Sequence, residues 1–210
     1  EAYPVFKKYI PVKPGKILEL ATGCGRFGVS IAKDFKDSEV YISDILEESL
    51  DLARKLANKL NVHNVEFSVQ DCMRINFEDN YFDVVFADAL IQHLPQDSDA
   101  VKEMARVLKP GGRLILAVAN KWNFHTLYKL LMGKRYSYGY EKSYSKQELR
   151  KILKNNGIEI EAEDGFYVGY GIFRLKKYHK MFHFWGRAVN RLSKILDKNK
   201  RRFFTKNFCF

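Results

Sequence analysis

A single α/β domain over residues 1–210, with a mostly parallel sheet and helices on both faces, is what the sequence predicts. Three observations predict it. Short apolar runs rich in Val and Ile alternate with apolar-periodic helices along the chain. The first of these junctions is a glycine-bearing turn, Gly23-Cys24-Gly25. With 46% apolar and 29% charged residues, the 210-residue chain supplies one full-sized core.

Lys16 to Leu20 is the first strand signal, placed after Pro14-Gly15, and it runs through Ala21-Thr22-Gly23-Cys24-Gly25 into a helix reaching Ile31. Val40 to Ser43 is the second strand. Leu50, Ala53, Leu56, Ala57 and Leu60 then recur at helical spacing behind Glu47 and Glu48, acids that suit a helix N-terminus. Val65 to Val69 is the third strand and Phe82 to Ala87 a buried-type fourth. A helix carrying Val101, Met104, Ala105 and Leu108 follows, then the turn Lys109-Pro110-Gly111-Gly112 and a fifth strand, Arg113 to Ala119. Ser145 and Glu148 make a capping-box pattern, and Asn156-Gly157 stops that helix before a sixth strand, Ile158 to Ala162. Between the fifth strand and the capped helix, residues 121–144 hold eight aromatic or histidine side chains and are too long for a plain connection. They are expected to form a lid.

The net charge of +11 is confined to one region. Twelve Lys or Arg and one acid, Asp197, lie between Arg174 and Phe210, so the rest of the chain is neutral in sum. Phe182, Trp185, Val189, Leu192, Ile195 and Leu196 fall on one helical face there, and Arg187, Arg191, Lys194 and Lys198 on the other. Two readings stand side by side. The basic amphipathic segment 174–206 lies on an anionic membrane, or its apolar face roofs the cleft or packs in a homodimer. Uncharged stretches reach only about half of the ~18 residues that span a bilayer, which excludes a transmembrane helix. Three cysteines without ligand spacing predict neither a disulfide framework nor a zinc site, and fit a reducing, cytoplasmic setting. His179 and His183 stand four apart but have no third ligand, so no metal is assigned.

Gly23-Cys24-Gly25-Arg26-Phe27-Gly28 is a literal G-x-G-x-x-G after a strand, with Asp44 21 residues beyond Gly23, and taken alone it favours a nicotinamide cofactor. Glu19 argues otherwise. At the strand end it would face an anionic pyrophosphate, which a dinucleotide site normally meets with a helix N-terminus and no acid. Glu19, Asp44, Asp71 and Asp88 follow the first four strands, one each, on the edge where ligands of such sheets bind. An acidic edge suits a cation. S-adenosylmethionine, with a sulfonium, an ammonium, ribose hydroxyls and an adenine amine, gives each carboxylate a task. For Asp88 alone, capping of the following turn is the better explanation.

The stretch from about Lys16 to Glu163 resembles a class I S-adenosylmethionine-dependent methyltransferase, most similar to the type 11, ubiquinone-biosynthesis-like group. Ile17 to Arg26 is similar to that family's first motif, with Ala21 in place of its first glycine. Val40 to Ile45 resembles the second motif, Gln70-Asp71-Cys72 the adenine-side motif, Phe82 to Ala87 the fourth strand, and Arg106 to Gly112 the turn into the fifth. The resemblance implies a seven-stranded Rossmann-like sheet whose last strand begins at Asn207 and inserts antiparallel beside the sixth. It implies Glu19, Ala21, Gly23, Cys24 and Gly25 at the methionine part, and Asp44 and Ile45 at ribose and adenine. Asp71, Cys72, Met73 and Ala87 complete the expected cofactor contacts, and S-adenosylhomocysteine is the expected product.

Transfer from a sulfonium needs mainly a near-attack geometry and a weak base. His93, in Leu90-Ile91-Gln92-His93-Leu94-Pro95 after the fourth strand, is the expected catalytic base, with packing of the next turn as its structural alternative and His125 or Tyr138 of the lid as rivals. Cys24 and Cys72 read as packing residues. The expectation is O-methylation of a small-molecule or lipid-linked acceptor by a cytoplasmic enzyme, with peripheral membrane contact through 174–206. RNA methylation is the rival that the basic tail allows, although the fourth strand lacks the Asn/Asp-Pro-Pro-aromatic motif; a nicotinamide oxidoreductase is the other.

Overall fold

The computed structural model describes residues 2–122, 126, 129–130, 133, 139–166 and 207–209. Seven strands, β1 (Lys16–Leu20), β2 (Glu39–Asp44), β3 (Val65–Val69), β4 (Phe82–Asp88), β5 (Leu108–Ala119), β6 (Asp164–Phe166) and β7 (Asn207–Cys209), form one sheet in the order β3-β2-β1-β4-β5-β7-β6. The first five run parallel; β7 is antiparallel to both β5 and β6. Five helices accompany them among the described residues: α1 (Tyr3–Lys7), α2 (Arg26–Asp34), α3 (Glu47–Lys59), α4 (Asp97–Val107) and α5 (Lys146–Asn155). The sheet grows in one direction from β1 to β3 and in the other from β4 onward. The carboxyl ends of β1 and β4 therefore flank the switch point, where such a sheet leaves a crevice.

Alternation along the strands builds two cores. Ile17, Val84 and Phe86 face α2 and α3, while Leu18, Leu20, Val85 and Ala87 face α4 and α5, all fully buried. The first core is pinned by Phe6, Phe27 and Phe86, whose rings meet edge to face with centroids 4.8–5.7 Å apart. Burying Phe6 is worth roughly 1.5–3 kcal/mol, which holds the five-residue α1 on the sheet although so short a helix is not stable alone.

Ser145 caps α5 as its sequence pattern predicts: its hydroxyl accepts from the Glu148 amide and the Glu148 carboxylate accepts from the Ser145 amide. Two strand boundaries differ from expectation. β5 starts at Leu108 because Leu108 pairs with Phe82 before a register shift, and Gly111, at φ 75°, lets the Lys109–Gly112 segment turn within the strand. The sixth strand is not Ile158 to Ala162 but Asp164–Phe166, since only these residues find partners on the three-residue β7. Ile158 and Ile160 pack on the second core instead. Between them and Arg113–Ile115 lies a cavity of about 480 Å³, at the amino end of β5 and remote from the carboxyl edge. It is a gap between the amino half of β5 and the segment that follows α5.

Arg106 ties down the connection into β4. Its guanidinium donates to the carbonyls of Ile75 (2.7 Å) and Phe77 (2.9 Å) and pairs with Asp79 and Glu103. Arg106→Ala leaves two carbonyls and two carboxylates without this donor, and should lower stability by about 2 kcal/mol in thermal or denaturant unfolding. Of the expected lid, residues 121–122, 126, 129–130, 133 and 139–144 are described, the last stretch bridged to the end of β5 through Asn120 and Tyr144. His125, Tyr138, His179, His183 and the basic segment 174–206 lie outside the described residues.

Candidate active site

Glu19, the last but one residue of β1 before its turn, is 1% exposed and points to the α2 side of the sheet. Its Oε2 accepts from the Gly28 amide at 3.0 Å and from the Thr22 hydroxyl. A Cβ on Gly28 would lie 2.3 Å from that oxygen, so the third glycine of the loop motif is required by the carboxylate beneath it. Burial pushes the Glu19 carboxyl up to about 8; its two hydrogen bonds oppose this, and the charges of Asp88 and Asp44 add to it.

Asp44, at the carboxyl end of β2, is buried and holds two loops together. Its Oδ2 accepts from the Gly23 amide at 2.9 Å and its Oδ1 from the Leu46 amide at 3.1 Å. Each oxygen keeps a further lone pair for a hydroxyl. The turn itself is tight: Ala21, Gly23 and Gly25 all have positive φ, at 56°, 58° and 76°. Ala21 thus occupies a left-handed position that glycine would adopt without steric cost. Gly25 opens α2, and its Cα lies so close to α3 that a Cβ would stand 2.4 Å from the Ala53 Cβ. Cys24, between the two glycines, is exposed.

Further along the same edge, Asp71 is exposed and caps its own turn by accepting from the Met73 amide at 2.9 Å. Cys72 and Met73 are half-buried against the second core, and burial pushes the Cys72 thiol up to about 11, which keeps it protonated and suits a packing role. Ile45, Leu46 and Val69 leave apolar side chains exposed beside Asp44 in sequence or register. Ala87 is fully buried, so it can border the crevice only as β4 backbone; Asp88 and Ala89, at φ 58°, then turn the chain out of the sheet. A buried carboxylate whose proton affinity burial and its neighbours Asp88 and Asp44 raise, backed by exposed apolar surface, suits a cation bearing a ring. This setting fits S-adenosylmethionine and disfavours a pyrophosphate.

A methyltransferase-domain family profile matches residues 17–112. The ubiquinone/menaquinone biosynthesis C-methyltransferase UbiE of Rickettsia bellii is 31% identical over 179 residues, covering 73% of this chain and 72% of its own. The chain belongs to the class I S-adenosylmethionine-dependent methyltransferases. A methyltransferase of this kind from Aquifex aeolicus has the same fold, with a TM-score of 0.61 and 24% identity over 77% of this chain and 81% of that one. So does the [4+2]-cyclase SpnF, with a TM-score of 0.68 and 19% identity over 99% of this chain and 77% of that one. S-adenosylmethionine is therefore the methyl donor of this methyltransferase. When bound, it supplies an electrophilic methyl group on a sulfonium.

The structure brings Glu19, Gly23, Gly25 and Asp44 of this methyltransferase into one hydrogen-bonded unit, and sets Asp71, Cys72 and Met73 farther along the same edge. Sequence reasoning missed Thr22 and Ser43, whose hydroxyls donate to the Glu19 carboxylate and, at 2.6 Å, to the Glu19 carbonyl. Thr22, three residues after Glu19 in a turn, carried a readable signal; Ser43, from the neighbouring strand, carried none. Asp44→Ala should weaken S-adenosylmethionine binding about tenfold in calorimetric titration, with part of the loss arising from the freed Gly23 amide. Asp44→Asn, which keeps acceptor oxygen, should lose less.

Proposed function

We propose that this methyltransferase acts on a small apolar acceptor carrying an ionisable hydroxyl, and that His93 takes the hydroxyl proton. The observation that carries this reading is the place of His93. Its exposed ring stands on the Ile91–His93 turn just beyond β4, and its neighbour across the turn is the return segment of the lid. Trp122, Leu130 and Tyr140 leave large apolar surfaces exposed in the lid segment, which favours an apolar acceptor over a polar one.

In this reading Glu19 and Asp44 orient the donor from the α2 side, and the lid excludes water. His93 raises the nucleophilicity of the acceptor by holding its proton. A deprotonated hydroxyl can take the methyl group at oxygen, the outcome expected from the sequence, or at a conjugated ring carbon. The C-methyltransferase name of the UbiE relatives supports the carbon. Incubation with S-adenosylmethionine and a panel of phenols and hydroquinones, with the methyl position read by NMR, separates the two. His93→Ala should reduce single-turnover methyl transfer by about 10²–10⁴-fold and leave donor affinity unchanged. A lipid-linked acceptor is supported by the basic composition of 174–206.

A further inference from the structure

We infer that His93 is held as the neutral ring protonated on Nδ1, with the Nε2 lone pair turned to the buried Gln92 side-chain NH₂ until the acceptor's hydroxyl takes that place, and with Nδ1–H held by the Tyr140 carbonyl of the lid's return segment. The inference deepens the proposed role of His93 and rests on it. Its logic is a chain of donors and acceptors whose direction is fixed at both ends. The Ala119 amide donates at 2.7 Å to one terminal atom of the Gln92 side chain, so that atom is Oε1 and the other is the NH₂. That NH₂ lies 3.4 Å from His93 Nε2, and an amide nitrogen only donates, so Nε2 presents its lone pair. On the other side of the ring, Nδ1 lies 3.1 Å from the Tyr140 carbonyl, which only accepts, so Nδ1 carries the proton.

Gln92 is 3% exposed and is a positioning residue, since it acts through His93. Its backbone carbonyl accepts from the Lys142 amide at 2.8 Å, so the same residue docks the return segment that delivers the Tyr140 carbonyl. Nearby charges are taken up among themselves: Asp97 accepts from Lys142 at 2.7 Å and from the Tyr144 hydroxyl at 2.9 Å. Seating of the lid's return segment and orientation of the base are thus one event.

Long-range ¹H–¹⁵N correlation spectra of the labelled protein, with His93 identified by its disappearance in His93→Gln, read the tautomer without any acceptor. The expected wild-type pattern of the neutral ring is Nδ1–H. In Gln92→Glu the side chain still accepts from Ala119 but offers Nε2 an acceptor in place of a donor, so an Nε2–H signal should appear where the wild type has none. An Nε2–H wild-type ring, or the same pattern in Gln92→Glu as in the wild type, overturns the inference. Full turnover by His93→Gln would instead remove the base assignment and leave the tautomer result standing.

Discussion

Replacing Glu19 by glutamine should weaken S-adenosylmethionine binding by about 10²-fold, close to 3 kcal/mol, the largest loss expected from one near-isosteric change. Glutamine still offers an oxygen to the Gly28 amide, so the substitution removes charge and keeps most of the geometry. The pH dependence follows from the same group. In the free protein the Glu19 carboxyl is pushed up to about 8, by burial first, and a cation placed against it draws it back down. Donor affinity should therefore rise with pH up to about 8 and level off above it, with close to one proton released per molecule bound at pH 7. Stability of the free protein runs the opposite way. A carboxyl whose pKa is higher folded than unfolded favours folding while protonated, so this contribution is full below about 4.5 and is lost as pH rises through about 8. Thermal unfolding from pH 5 to 9 should show this decline in the wild type and a flatter profile in Glu19→Gln.

Gly25→Val should be the most destabilising substitution in the loop, costing about 3 kcal/mol or more. Two separate penalties meet there. A β-branched residue at φ 76° is strained wherever it sits, and its Cβ would be 2.4 Å from the Ala53 Cβ and 2.6 Å from the Ala53 Cα, so α3 backbone must move. Movement of α3 displaces Leu46 and Asp44 just before it, so donor binding should fall with stability. Gly23→Ala is the contrast. It shares the positive φ but meets nothing within 4 Å, and should cost about 1 kcal/mol from backbone strain alone.

The parallel half of the fold was legible because each strand and helix announces itself locally. The periodicity of Leu50, Ala53 and Ala57, the Ser145–Glu148 box and the loop after Leu20 all appear where expected. What could not be read depends on partners distant in sequence. β6 is set by which residues of β7 reach it, and Ile158 and Ile160 alternate well yet find no ladder. α1 has five residues with a proline in its first turn, and it is helical because Phe6 is clasped by Phe27 and Phe86. The acidic edge was visible as four carboxylates after four strands. Their division of labour was not, since only the folded chain shows Glu19 sealed under Gly28, Asp44 bracing two loops and Asp71 exposed at its own turn. Arg106, whose guanidinium reaches back to Ile75 and Phe77, looked like part of the turn motif into β5 and serves as the clamp on the β4 approach.

We propose that the carboxyl edge between β1 and β4 holds a cationic adenosyl donor through Glu19 and Asp44. Parallel calorimetric titration of the wild type and Glu19→Gln with S-adenosylmethionine and NAD tests it most directly. S-adenosylmethionine should bind the wild type, bind Glu19→Gln about 10²-fold more weakly, and NAD should give no heat. NAD binding, or S-adenosylmethionine binding that Glu19→Gln leaves unchanged, would contradict it.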